Sequence, residues 1–193
     1  GYAYDLYAET QFDSGVLNLD DYRVLILSTH PEYWSSDMYF KLKSWVFERG
    51  GKLAYLGGNG LNCEVEFLDA YTMVCRNGDQ GGSFSDMQKI GCESRFHQFH
   101  ESEANLLGEV CSETGIMTGA PYRVIDASHW IFEGTGLKNG DIFGEKYLHM
   151  RCPGGASGHE TDKISASSPG NVQLLAKGLN PDEGGAEIVC HKT

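Results

Sequence analysis

Basic residues are scarce in this chain. Fifteen Lys and Arg face 27 Asp and Glu, a formal charge of −12. Neither nucleic acid nor an anionic membrane finds there the cationic surface it requires. No apolar run approaches the ~18 residues a membrane-spanning helix needs. The six cysteines (Cys63, Cys75, Cys92, Cys111, Cys152 and Cys190) contain no CxxC and no paired spacing suited to zinc. Wide spacing suits either scattered buried thiols or three long-range disulfides. The thiols are favoured, because a chain of this size needs no staples. With neither a signal peptide nor a membrane span in the sequence, a cytoplasmic location is the expectation. HExxH is missing as well: Lys163 stands four residues after His159, which removes the zincin reading. No signal-peptide pattern follows the opening Gly1, which stands where Met would be expected and reads as a piece or processed product of a longer chain.

What remains is a globular composition, 40% hydrophobic and 11% aromatic over 193 residues, enough for one sizeable core. The chain is organised around Asp21 to Gly60. Val24-Leu25-Ile26-Leu27 is a continuous apolar run, as a strand covered on both faces of a parallel sheet requires. A polar loop follows, His30-Pro31-Glu32-Tyr33-Trp34. Ser35 or Ser36 can cap a helix whose buried face is Met38, Leu42, Trp45 and Val46. Gly50-Gly51 ends that helix, Lys52 to Leu56 forms the next strand, and Gly57-Gly58-Asn59-Gly60 turns the chain. This is one βαβ unit. Both strands end in functional-looking loops at one rim, where open α/β sheets bind ligands. The expectation is a single α/β domain over 1–193 with a mostly parallel sheet and a β-rich excursion over about 61–150.

Within the excursion, Cys63–Phe67 and Tyr71–Cys75 read as a hairpin and 77–83 as a loop. Glu101–Glu109 reads as a helix with Ala104, Leu107 and Val110 as its apolar side. Pro121–Ile125, Trp130–Phe132 and Asp141–Phe143 read as short strands, as does Tyr2–Tyr7 near the start. Val172–Ala176 and Ala186–Cys190 are late strands.

Three constellations carry chemistry. Pro31 stiffens the first loop, so His30, Glu32 and Tyr33 are presented at little ordering cost. A phenolate and a carboxylate together form a hard oxygen set that suits hard cations, oxidised iron included; alternatively Tyr33 and Trp34 merely roof the helix. Second, a glycine run delivers His159 and Glu160, a general base with an orienting partner, or else a turn leading into Ile164. Third, Gly57-Gly58-Asn59-Gly60 has the shape of a nucleophile elbow with no nucleophile at its centre. Cys63 lies too far past the turn for a cysteine-dependent glutaminase. Gly58 and Asn59 remain as substrate-binding positions, with Glu32 beside them. The His97/His100 pair reads as a solvated face.

The run YRVLILSTHPEYWS…RGGKLAYLGGNG, with Trp130–Gly134 and Ala156–Lys163 following in order, resembles the C-terminal region of the large (β) subunit of N,N-dimethylformamidase and its relatives. The resemblance implies a class I glutamine-amidotransferase-like, flavodoxin-like fold without the cysteine nucleophile. It also implies a mononuclear iron held by two tyrosines and an acidic residue, acting on a small amide. By that resemblance Tyr33 is a metal ligand, Asp79 in Gly78–Gly82 is the nearest match to the acidic one, and Glu160 is catalytic; the residues themselves add His159 and His30 as acid–base partners. The second tyrosine belongs at or before Gly1, with Tyr4 the nearest stand-in. A further domain, a small subunit or a second copy are the macromolecular partners implied. The short stretch between Tyr33 and Trp130 and the missing tyrosine favour an alternative, a non-catalytic amidotransferase-like module that binds carbohydrate or protein and has lost the metal.

Overall fold

The apolar run over 24–27 does form a strand, β1 (Val24–Thr29), preceded by a short helix α1 (Glu9–Asp13). In the computed structural model, which describes residues 1–75, 89–146 and 153–192, the chain then passes through β2 (Tyr33–Trp34) into helix α2 (Ser36–Arg49). Ser35 caps that helix: its Oγ accepts from the Met38 N–H at 3.2 Å and donates to Asp13 Oδ1 at 2.6 Å. Gly50 ends it in the left-handed region at φ 74°, where glycine pays no Cβ penalty. Met38, Leu42, Trp45 and Val46 are buried as their spacing requires, and Tyr39 joins them. Strand β3 (Lys52–Gly57) then pairs in parallel with β1, from Val24 opposite Lys52 to Thr29 opposite Gly57. The βαβ unit is therefore present.

The mostly parallel, flavodoxin-like sheet is not. β1 and β3 form a sheet of two strands. The rest of the described chain is a set of short strands in small mixed or antiparallel sheets. β4 (Cys63–Phe67) lies parallel to β2 and antiparallel to β5 (Met73–Cys75). After helix α3 (Ala104–Leu107) come β6 (Val110–Ser112), β7 (Gly119–Ala120), β8 (Tyr122–Val124) and β9 (Ile142–Phe143). They are followed by β10 (Ser157–Gly158), β11 (Thr161–Lys163), β12 (Gln173–Gly178) and β13 (Glu187–Cys190). β6 pairs with β11, β7 with β10, and β13-β12-β8-β9 form one four-stranded antiparallel sheet. The physical reason is the supply of crossovers. A parallel pair needs a connection of about a dozen residues or more, and α2, at 14 residues, supplies one. α3 has four.

Coverage differs too. Leu27 is buried, and Leu25, Leu53 and Tyr55 pack against the main apolar cluster with α2. Val24 and Ile26 on the opposite face remain 51% and 58% exposed. Among the described residues one helix layer, α2, covers one face. A second cluster, Val124, Phe132, Leu175 and Ala176, lies under the four-stranded sheet.

Smaller expectations also shift. The helix read over 101–109 shrinks to α3, because Gly108 turns left-handed at φ 88° and Val110 enters β6. Trp130–Phe132 is a 3-10 turn rather than a strand, with His129 Nδ1 accepting from the Ile131 N–H at 3.4 Å. Tyr2–Tyr7 forms no strand. The loop read over 77–83 lies outside the described residues. No helix among the described residues is long and apolar enough to cross a membrane.

Glu103 is fully buried beside α3, with Ser94 Oγ donating to its Oε2 at 2.6 Å and no partner on Oε1. Burial raises its carboxyl to about 8 from an ordinary 4.5. Unfolded, the group loses its proton near 4.5; folded, it keeps it up to about 8. Stability from this group is thus full below the lower value and lost as pH rises through the window. Thermal midpoints measured from pH 5 to pH 8 should fall in the wild type and fall less steeply in Glu103→Gln. Equal slopes would reject the assignment.

Candidate functional site

Parallel pairing places the ends of β1 and β3 side by side, and backbone bonds lock them there. The Gly58 N–H donates to Thr29 O at 3.1 Å, and the Leu61 N–H donates to Pro31 O at 2.8 Å. Thr29, Asn59 and Leu61 all take left-handed backbone, at φ 70°, 55° and 56°, costly for residues with a Cβ. The glycines permit close approach. A Cβ on Gly57 would sit 1.6 Å from Thr29 O, and one on Gly58 would sit 2.2 Å from Glu160 O. That second contact is where the chain returns, 102 residues later, between β10 and β11.

Four of the expected residues meet at this point. His30 Nδ1 lies 2.9 Å from Glu160 Oε2 and 2.9 Å from Gly58 O. Asn59 Nδ2 donates to Glu160 Oε1 at 3.1 Å. A peptide carbonyl only accepts, so Nδ1 carries the proton. A neutral His30 therefore presents its lone pair at Nε2, with the Glu160 carboxylate behind it at Nδ1. That is the arrangement of a general base with an orienting acid. The side chains are 40% and 23% exposed, open to a small molecule.

Two residues that the sequence did not single out complete the rim. Asp162, 2% exposed, accepts from the Asn59 N–H through Oδ1 and from the Tyr55 hydroxyl through Oδ2, both at 2.7 Å. The Gly60 N–H donates to the Tyr55 oxygen at 2.7 Å. The N–H groups of Gly58, Asn59 and Gly60 are thus already engaged, by Thr29 O, Asp162 Oδ1 and the Tyr55 oxygen. Asp162 lay inside the stretch Ala156–Lys163, but its partners lie about 100 residues away in sequence. Tyr55 read simply as a strand residue.

The other expected residues are arranged differently. His159 takes φ 65°, and its backbone bonds with Met117 and Thr118. Glu32 Oε1 accepts from Cys63 Sγ at 3.4 Å, and Tyr33 stands opposite Cys63 in the β2–β4 register. Partial burial, then the Glu32 charge, raise the Tyr33 phenol above its usual range. Among the described residues no hydrogen bond joins Tyr33 to Glu160. Burial first, and the Glu32 charge next, push the Cys63 thiol up to about 12, so it is no thiolate nucleophile at neutral pH. His100 Nε2 lies 2.9 Å from Glu64 Oε1, so this member of the His97/His100 pair is tied to a carboxylate. Asp79 lies outside the described residues. Among the described residues no group of three His, Cys, Asp or Glu is gathered to hold a metal.

The missing Cβ of Gly58 is a testable requirement. Gly58→Ala should cost about 1–3 kcal/mol, the usual range for overpacking, and separate His30 from Glu160. Gly170→Ala, with nothing within 4 Å of its added Cβ, should stay within ~0.5 kcal/mol of wild type. Denaturant midpoints check both, and equal midpoints would remove the close-approach role.

A search of curated proteins finds no match to this chain. A family model described as N,N-dimethylformamidase beta subunit-like, C-terminal, matches residues 1–192. With the match running over all but the final residue, the chain belongs to that family.

Proposed function

We propose that the rim above β1 and β3 is the acid–base centre of an amide hydrolase of N,N-dimethylformamidase type, acting on a small amide. The observation that supports this most is His30 Nδ1 held between Glu160 and the Gly58 carbonyl. Nε2 of His30 takes a proton from the water that attacks the amide carbonyl, and returns it to the nitrogen that leaves. Glu160 stabilises the imidazolium formed in between, and Asn59 Nδ2 holds Glu160 in place. Gly58 and Asn59 shape the floor on which the amide rests, with Glu32 along the loop at its side.

The resemblance implies iron. Glu32 carboxylate and Tyr33 phenol, adjacent in the loop, are oxygen donors of the kind such an ion takes. Two donors do not complete a coordination sphere, so water or residues outside the described ones, Asp79 among them, would supply the rest. When bound, the ion would polarise the amide carbonyl. None of the proton steps above is routed through it.

The full-length protein should hydrolyse short N-alkyl amides, assayed by release of amine. His30→Gln and Glu160→Gln should each lower kcat by about 10²- to 10⁴-fold, the usual span for one acid–base group. A flat result on metal-replete wild type would instead favour a binding module for carbohydrate or protein. Separately, Tyr33→Phe should lose bound iron by elemental analysis, and iron retained at the wild-type level rejects Tyr33 as a ligand.

A further inference from the structure

We propose that Asp162 is a positioning residue for the His30–Glu160 pair, acting through Tyr55 and the backbone of Asn59. The inference rests on the reading of that pair as the acid–base centre, and assigns Asp162 and Tyr55 a part in it. Asp162 lies on β11, two residues beyond Glu160, so one short segment supplies both carboxyl groups to the same glycine turn. They contact the turn differently. Glu160 meets its outer side through His30 and the Asn59 carboxamide, whereas Asp162 meets its backbone.

The chemistry of the contact requires a carboxylate. Oδ1 accepts from the Asn59 N–H and Oδ2 from the Tyr55 O–H, each at 2.7 Å. A carboxylate accepts twice and donates nothing. The carboxamide of an Asn in its place would set an NH2 group against one of those two donors. Tyr55 passes the constraint on, because its oxygen also accepts from the Gly60 N–H at 2.7 Å. Its ring fills the space where a Gly60 Cβ would lie, 2.7 Å from the nearest ring atom. One buried acid therefore fixes two successive peptide N–H groups flanking the left-handed Asn59.

Two groups depend on that backbone. One is Asn59 Nδ2, 3.1 Å from Glu160 Oε1; the other is Gly58 O, 2.9 Å from His30 Nδ1. If the turn relaxes, both supports of the pair shift together. A purely structural role for Asp162 would show in melting temperature alone; positioning also shows at the imidazole and in kcat.

The test uses the full-length protein with 15N-labelled histidine, the His30 ring signals being assigned by their loss in His30→Gln. Tyr55→Phe keeps the ring and removes the oxygen; Asp162→Asn keeps the shape and removes one acceptor. In each, the His30 Nδ1–H signal should move or vanish. With an amide substrate, kcat should fall on the order of 100-fold, as for a displaced catalytic group, while KM stays within about twofold. Restoring an acceptor at position 162 with Asp162→Glu should recover part of the signal and of kcat. Should Asp162→Asn fail to fold, Tyr55→Phe decides alone. Folded variants with an unchanged His30 signal and unchanged kcat overturn the inference. If Glu160→Gln keeps full turnover, the acid–base reading fails, and the His30 signal still decides whether Asp162 positions the pair.

Discussion

Because β1 and β3 run the same way in register, from Val24 opposite Lys52 to Thr29 opposite Gly57, their last residues share one edge of the molecule. The two loops that leave that edge begin side by side and are tied by the Gly58 N–H to Thr29 O bond. The pairing exists because α2 is long enough to carry the chain back over the sheet. Shorten α2 by two turns and the parallel crossover is lost, and with it the meeting of His30 with Gly58. The returning strand β11 is then placed against this edge by its antiparallel pairing with β6, Asp162 opposite Cys111.

The site is built from backbone as much as from side chains. Three left-handed residues without the freedom of glycine, Thr29, Asn59 and Leu61, store strain around a single turn. Buried polar contacts balance it: Asp162 with Tyr55 and with the Asn59 N–H. Burial raises the Asp162 carboxyl, while those hydrogen bonds oppose the rise. Nearby, Glu109 is driven well above the usual carboxylate range by burial and by Asp162. The formal charge of −12 counts these buried acids as ionised, and burial works against that.

What the sequence made legible follows from range. α2 was readable in full, since its cap, its periodicity and its terminal glycine all act within a few residues. β3 and the hairpin of β4 with β5 were readable for the same reason. The sheet was not. A continuous apolar run such as Val24–Leu27 suits burial on two faces, but it also tolerates burial on one, and only the count of covering helices decides. The segment carrying Glu160 was recognisable, but nothing local to it shows that His30 meets it across 130 positions. Tyr55 and Asp162 stayed silent for the same cause, as their link spans 107 positions.

The tautomer of His30 has a consequence for approach. With Nδ1 committed to the Gly58 carbonyl and Glu160, the ring has a single open pole, Nε2, whose lone pair lies in the imidazole plane and points away from both anchors. Whatever exchanges a proton with Nε2 must come in along that one bearing. The molecule therefore has a front and a back for chemistry, set by one carbonyl oxygen.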